Sequence, residues 1–237
     1  MFRHILPAVG CVVLTASLAT ASTYRGPSFV EPGDAGNGRD DAVDVKNPDG
    51  TGSINSISGS LTGGGLLATD GDYQDVYRIF IKDPLLFKIQ LSNEATNHPD
   101  SMMFLFDELG HPLMASDNTS SQNFNPILEN QGGQFFNHTG VFYLAITSAP
   151  SEAQAIQDGV LALLFNLGEF PFGTVGPLEG AQSAEWFDQW TPPTNPDHVG
   201  DYFMLVDGVE SMPNVPSPAG LALLGLAGVL GGRRRRR

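Results

Sequence analysis

Between residues 54 and 206 the apolar side chains either alternate with polar ones or run together in short blocks, and no comparable stretch carries a sustained 3.6-residue stripe. Successive residues of an extended chain face opposite sides, so this pattern commits the chain to β-strands rather than helices. Residues 75–82 place Tyr77, Ile79 and Ile81 on one face, and after Pro84 residues 85–91 do the same with Phe87, Ile89 and Leu91, which predicts a hairpin. Residues 101–107 hold Met102, Met103, Phe104, Leu105 and Phe106 in succession, the mark of a strand buried on both faces. The turn-rich Glu108-Leu109-Gly110-His111-Pro112 then sends the chain back. Residues 141–147, 158–165 and 201–206 supply further strands. Seven or eight short strands separated by Gly, Pro and Asn turns predict an all-β domain, an antiparallel β-sandwich over residues 53–210. The segments beginning Gly140-Val-Phe-Tyr and Gly200-Asp-Tyr-Phe repeat one pattern and read as two equivalent strands of that sandwich. Ahead of it, residues 22–52 are rich in Gly, Asp, Asn and Pro and read as an extended, acidic, loosely held lead-in.

The two ends have a different grammar. Arg3 and His4 precede an apolar run over residues 5–18 and then Ala19-Thr20-Ala21, the small-x-small form that signal peptidase cleaves. Residues 1–21 are therefore expected to form a signal helix, removed after Ala21. Its loss removes Cys11, the single cysteine, and with it any disulfide, thiolate metal site or cysteine nucleophile in the mature chain.

At the other end, residues 211–237 contain Val215-Pro216-Ser217-Pro218, a fourteen-residue apolar stretch over 219–232, and then Arg233, Arg234, Arg235, Arg236 and Arg237. The stretch is short for a bilayer span and the arginines resist translocation, so a brief stop in a membrane with the basic end left cytoplasmic is expected. This order of motif, short apolar helix and basic cluster resembles the PEP-CTERM sorting signal of Gram-negative bacteria, with Ser217 where that family carries Glu. The resemblance implies transient anchoring in the inner membrane and processing by an exosortase, followed by release or attachment at the cell surface.

Charge narrows the function of what lies between. The chain has 26 acidic residues against 12 basic ones. Without residues 1–21 and the terminal arginines, only Arg25, Arg39, Lys46, Arg78, Lys82 and Lys88 oppose the acids, a net charge of about −20. No Lys or Arg occurs between Lys88 and Arg233. Such a surface repels nucleic acid and anionic headgroups and attracts cations.

Asp72-Tyr-Gln-Asp-Val-Tyr-Arg-Ile79, Phe104-Leu-Phe-Asp-Glu-Leu-Gly110, Ser116-Asp117-Asn118 and Gly140-Val-Phe-Tyr-Leu-Ala-Ile146 follow one another in an order similar to that of bacterial pre-peptidase C-terminal-like domains. That resemblance implies a jelly-roll-like sandwich acting as a binding or accessory module. It also implies that Asp107 and Asp117 join Asp72 and Asp75 at one edge. The three carboxylates of Asp70-Gly-Asp-Tyr-Gln-Asp75 are the hard oxygen donors calcium needs, although the spacing is not that of an EF-hand. Calcium is thus the candidate ion, and no other cofactor is expected. Asp34, Asn37, Asp40 and Asp41 form a second acidic group in the lead-in.

Phe170, Phe172, Trp186, Phe187 and Trp190 lie among Gly and Pro, either closing the end of the core or offering rings to a sugar, which makes exopolysaccharide a candidate partner. There is no nucleophile elbow, zinc-protease motif, phosphate loop or dinucleotide fingerprint. The expected function is that of an exported, non-enzymatic surface or matrix protein. Its rivals are a calcium- or carbohydrate-binding module and a secreted hydrolase whose triad is assembled from distant residues.

Overall fold

The computed structural model describes residues 28–63, 71–92, 99–157, 160–168, 172–181, 187, 189–192 and 198–213. Ala19, Ala21, the motif Val215, Pro216, Ser217 and Pro218, and the five terminal arginines lie outside them, as do both expected terminal helices.

Among the described residues the chain is all-β, with a 3-10 turn at Gln131–Gly133 and no helix long and apolar enough to cross a membrane. Two sheets face each other. The first has the order β1-β3-β13-β5-β8, formed by β1 (Ser28–Val30), β3 (Ser56–Leu61), β13 (Gly200–Asp207), β5 (Lys88–Leu91) and β8 (Ile127–Glu129). The second has the order β14-β4-β9-β6-β7, formed by β14 (Val209–Glu210), β4 (Gln74–Ile81), β9 (Gly140–Ser148), β6 (Ser101–Phe106) and β7 (Pro112–Ser116), with β2 (Val43–Asp44) also on β4. The repeated strands noted in the sequence are β9 and β13, each the middle strand of its sheet.

Tyr77, Ile79, Ile81, Met103, Leu105, Phe142 and Leu144 of the second sheet meet Ile57, Ile89, Leu91, Tyr202, Met204 and Val206 of the first to make the main core. The other face of the second sheet is also covered. Val76, Met102, Phe104, Phe106 and Ala145 pack there against Ala153, Leu164, Phe165, Phe187 and neighbouring residues. Beside them runs a small sheet of β10 (Ala153–Gln157), β11 (Val160–Leu163) and β12 (Gln189–Trp190), in the order β11-β10-β12. β6 therefore feeds both cores in alternation, which accounts for its unbroken apolar run.

Three expectations change. The alternating segments either side of Pro84 do not form a hairpin, because β4 and β5 belong to different sheets and the chain arches between them. Lys82 and Asp83 donate their amides to the Gly208 carbonyl at 2.9 and 3.1 Å, so the end of β4 is held by the β13–β14 turn instead of folding back. Gly208 has φ 78°, and a Cβ there would stand 2.6 Å from the Asp83 carbonyl oxygen, so this close approach requires glycine.

The sheets are mixed rather than wholly antiparallel, since β1 runs parallel to β3 and β2 parallel to β4. Both exceptions come from the lead-in, which is not loosely held over its described part. Ala35 and Val45 are fully buried, and the Val45 amide donates to the Arg78 carbonyl while its carbonyl accepts the Met212 amide, both at 2.9 Å. The strand expected over residues 158–165 is found as β11 over the shorter span Val160–Leu163, in a hairpin with β10, which precedes that span.

Candidate functional site

The parallel pairing of β1 with β3 carries the chain on to Glu31, beside the start of β4. From there residues 31–41 loop across the end of the sandwich. Asp34 Oδ1 accepts the Gly36 amide at 2.8 Å, and the Asp41 carboxylate accepts the amides of Asn37 and Gly38 at 3.3 and 2.8 Å. Gly36 adopts φ +80°, and a Cβ on it would stand 2.6 Å from Asp41 Cγ, so this turn closes only over glycine. The loop is strapped down by Val76, whose amide donates to the Gly36 carbonyl at 3.0 Å.

This places four carboxylates together. One oxygen each of Glu31, Asp34 and Asp75 lies within 4.8 Å of the others. Asp72, one turn before β4, adds its charge to Glu31 and Asp75. Asp75 is the floor, fully buried between the sheets on the same face of β4 as Tyr77. Asp34 is the exposed rim, and Glu31 and Asp72 are half-buried walls. Tyr202 on β13 donates its hydroxyl to Asp75 Oδ2 at 2.6 Å, and Tyr77 in turn donates to the Tyr202 hydroxyl. Ala35 offers its amide to Asp75 Oδ1 at 3.4 Å. Glu31 Oε2 accepts the Ser60 amide at 3.1 Å, and Asp72 Oδ2 accepts both the amide and the hydroxyl of Thr62 at 3.0 and 3.1 Å. Glu31 Oε1 and Asp72 Oδ1 are buried with no hydrogen-bond partner among the described residues.

Space is kept open by Gly59 on β3, where any Cβ would overlap both Glu31 Oε2 and the Tyr202 hydroxyl. Four like charges in so small a volume cannot all be ionised without a compensating cation or proton. Burial raises the Asp75 carboxyl to about 8, helped by the charges of Glu31 and Asp72 and opposed by the Tyr202 hydrogen bond. Glu31 and Asp72 are raised as well, first by burial and then by Asp72 and Asp34 respectively. Burial likewise raises both tyrosines, so their hydroxyls remain donors.

Of the four aspartates singled out in the sequence, the fold keeps Asp72 and Asp75 together and sets the other two apart. Asp75 is level with Ile146, Met103 and Ser116 across the second sheet, so Asp117 lies about three strand spacings away, roughly 14 Å. There Asp117 is raised to about 6 by burial and by the charges of Asp100 and Glu152. Asp107 lies at the far end of β6. Its Oδ1 accepts the amides of Leu109 and His111, both at 2.8 Å, and its Oδ2 meets His111 Nδ1 at 3.0 Å.

Glu31, Tyr77 and Tyr202 were not legible as site residues. The carboxylate of Glu31 is brought in by strand pairing alone, and the tyrosines read as core positions. Asp34, assigned to a second acidic group, belongs to this pocket, whereas Asp41 closes its loop.

The aromatic segment divides. Phe187 and Trp190 pack on Phe106 with ring centroids 4.2 and 6.4 Å away, and Trp190 Nε1 donates to the Asn37 carbonyl at 2.7 Å. They close the second core, while Phe172 is half exposed and Phe170 and Trp186 lie outside the described residues. No family model matches the chain, and no curated protein is similar enough to count as a match.

Proposed function

We propose that the chain is an exported, non-enzymatic surface or matrix protein. Signal peptidase removes residues 1–21, the tail of residues 211–237 parks the product in the inner membrane, and an exosortase processes it near Pro216. The β-sandwich is then presented at the surface as a binding or structural module, with the strand order of a jelly roll. The two terminal signals support this reading. Within the fold its main support is how the densest set of reactive groups is used: Glu31 and Asp72 each commit one oxygen, and Asp75 both, to amides and hydroxyls of Ser60, Thr62, Tyr202 and Ala35. The groups join segments of a scaffold. The test is the intact mass of the surface or released product after expression of the full chain with its exosortase. Residues 22 to about 216 are expected, and retention of Arg233 to Arg237 would sink the processing step.

A second reading, calcium binding in the same pocket, is favoured by the two unpartnered buried oxygens, Glu31 Oε1 and Asp72 Oδ1. Calcium takes six to eight hard oxygen ligands in adaptable geometry, and Glu31, Asp34, Asp72 and Asp75 would supply them with water at the exposed Asp34 rim. A bound ion would also replace the proton on Asp75, so binding strengthens as pH rises and releases protons. Calcorimetric titration is expected to give saturable heat and a higher Tm, with larger stabilisation near pH 8 than near pH 6, and Asp75→Asn is expected to suppress both. Absence of heat and of any Tm shift at millimolar calcium would remove this reading.

A further inference from the structure

On the flank of the sandwich away from the carboxylate pocket, two clefts of about 450 and 270 Å³ adjoin, because both are lined by Gln134 and Phe135. The larger also has Asp107, His111 and Gly176 in its wall, the smaller Glu129 and Gln131. We infer that these clefts form one two-subsite groove for an oligosaccharide chain of neutral or amino-bearing sugars.

The shape is built in advance. Asn130 is buried and its amide group is fully used: Oδ1 accepts the Phe135 amide at 2.9 Å, and Nδ2 donates to the carbonyls of Pro84 and Phe136 at 2.8 and 2.7 Å. It thereby fixes the turn that carries Gln134 and Phe135. The opposite wall is strapped to β8 by Thr174, whose hydroxyl accepts the Glu129 amide at 3.0 Å and donates to the Ile127 carbonyl at 2.8 Å, and to β7 by paired amide bonds between Val175 and Ala115. A groove held this way loses little freedom when occupied.

The lining suits a sugar rather than an apolar ligand. A pyranose has a C–H face that packs on an aromatic ring and a rim of hydroxyls that pair with planar amides and carboxylates. Phe135 is half-buried, with Gly176 against its ring edge, where a Cβ would stand 3.5 Å from Cε1, so the ring is not walled in by a side chain on that side. Gln134 is exposed and free to turn its amide to a ligand, while Gln131 Nε2 donates to Glu129 Oε2 at 3.0 Å and leaves one oxygen of each of that pair to face the groove. In the larger cleft Asp107 holds His111 Nδ1, leaving Nε2 as the ring atom that can accept a hydroxyl proton. Two subsites sharing one aromatic wall fit consecutive sugar units better than one compact molecule. Charge selects the class: no Lys or Arg lines either cleft, Lys88 stands across the strands from Glu129 and Arg39 bonds the Leu109 carbonyl outside the lining, and the carboxylates in the walls, Asp107 and Glu129, favour a neutral or aminated chain over a uronic acid one.

The experiment uses the full exported chain, titrated by calorimetry and amide-shift mapping with three probes: cellohexaose, chitohexaose in acetylated and deacetylated forms, and a hexamer of galacturonic acid. At least one neutral or amino hexamer is expected to bind with shifts at residues 131–135 and 173–177, and the polyuronate is expected not to bind. Gly176 has no left-handed φ, so Gly176→Leu places a bulky side chain in the groove without backbone strain; it and Gln134→Ala are expected to weaken binding roughly tenfold to thirtyfold, the size of losing a central contact. Ile156→Ser, at an exposed position on the β10–β11 hairpin, is expected to leave binding unchanged and serves as the folded control. Failure of all hexamers to bind at millimolar concentration, preference for the polyuronate, or binding indifferent to Gly176→Leu would each overturn the inference. The groove and the carboxylate pocket share no residue, so a negative calcium titration leaves this result independent.

Discussion

Asp75, inside β4, and Asp107, just after β6, are the same residue type, and they stand for two opposite ways of handling a carboxylate. Asp107 closes a turn: all its partners, Leu109 and His111, lie within four residues. Asp75 depends on partners 40 and 127 residues away, Ala35 and Tyr202, and faces the carboxylates of Glu31 and Asp72. The carboxylate of the local site is satisfied by its own turn. The distant one exists only once the lead-in, β3, β4 and β13 have assembled, so it reports on the whole fold. A carboxylate satisfied locally costs the fold little, whereas one satisfied at long range ties fold stability to its protonation.

The sharpest way to break this contrast is Asp75→Ala. It leaves the buried Tyr202 hydroxyl and the Ala35 amide without their acceptor, and a loss of about 2–4 kcal/mol in urea unfolding is expected. An unchanged midpoint would mean that the joint contributes nothing. Next in size is the pH dependence. The folded chain keeps the Asp75 proton up to about pH 8, whereas the unfolded chain releases it near the ordinary carboxylate value. Its contribution to stability is therefore complete below that ordinary value and is lost as pH rises toward about 8, with Glu31 and Asp72 adding in the same direction. Without calcium, Tm is expected to fall across this window, and Asp75→Asn, which stays neutral, is expected to flatten the fall. A Tm that rises with pH through the window would contradict the proton-held joint. Gly59→Ala should follow, at about 1–3 kcal/mol, because its Cβ must displace Glu31 or Tyr202.

The same contrast separates what the sequence could tell from what it could not. Period-two patterning marked β4 and β5, the glycine-led pattern shared by residues 140–146 and 200–206 marked β9 and β13, and the unbroken run from Met102 to Phe106 foretold that β6 is buried on both faces; these are local signals. Pairing is not local. Nothing in residues 75–91 distinguishes a hairpin from an arch between sheets, since the choice rests on Gly208 capturing the amides of Lys82 and Asp83 from across the fold. Glu31 was unreadable for the same reason: only the parallel register Ser28↔Ser56 puts it beside Ser60 and Asp75. The low apolar content of the lead-in suggested a loose segment, yet two buried side chains, Ala35 and Val45, and two short strands suffice to hold it. Of the four aspartates, sequence proximity paired Asp72 with Asp75, and only the strand order could show that Asp107 and Asp117 stand elsewhere.

The smallest expected effect completes the comparison from the other side. Asp107→Ala removes the acceptor for two amides and the partner of His111, but water reaches the half-exposed turn and can take over part of the bonding. A loss of only about 1 kcal/mol is expected. Because these bonds are local and Asp107 shows no long-range charge partner among the four carboxylates of the pocket, the variant should keep the wild-type fall of Tm with rising pH. Asp107→Asn, which retains an oxygen acceptor for the two amides, should recover most of the loss. If Asp107→Ala instead altered the slope of Tm against pH as Asp75→Asn does, the two carboxylates would be coupled through the length of β6, and the division into a local and a long-range site would fail.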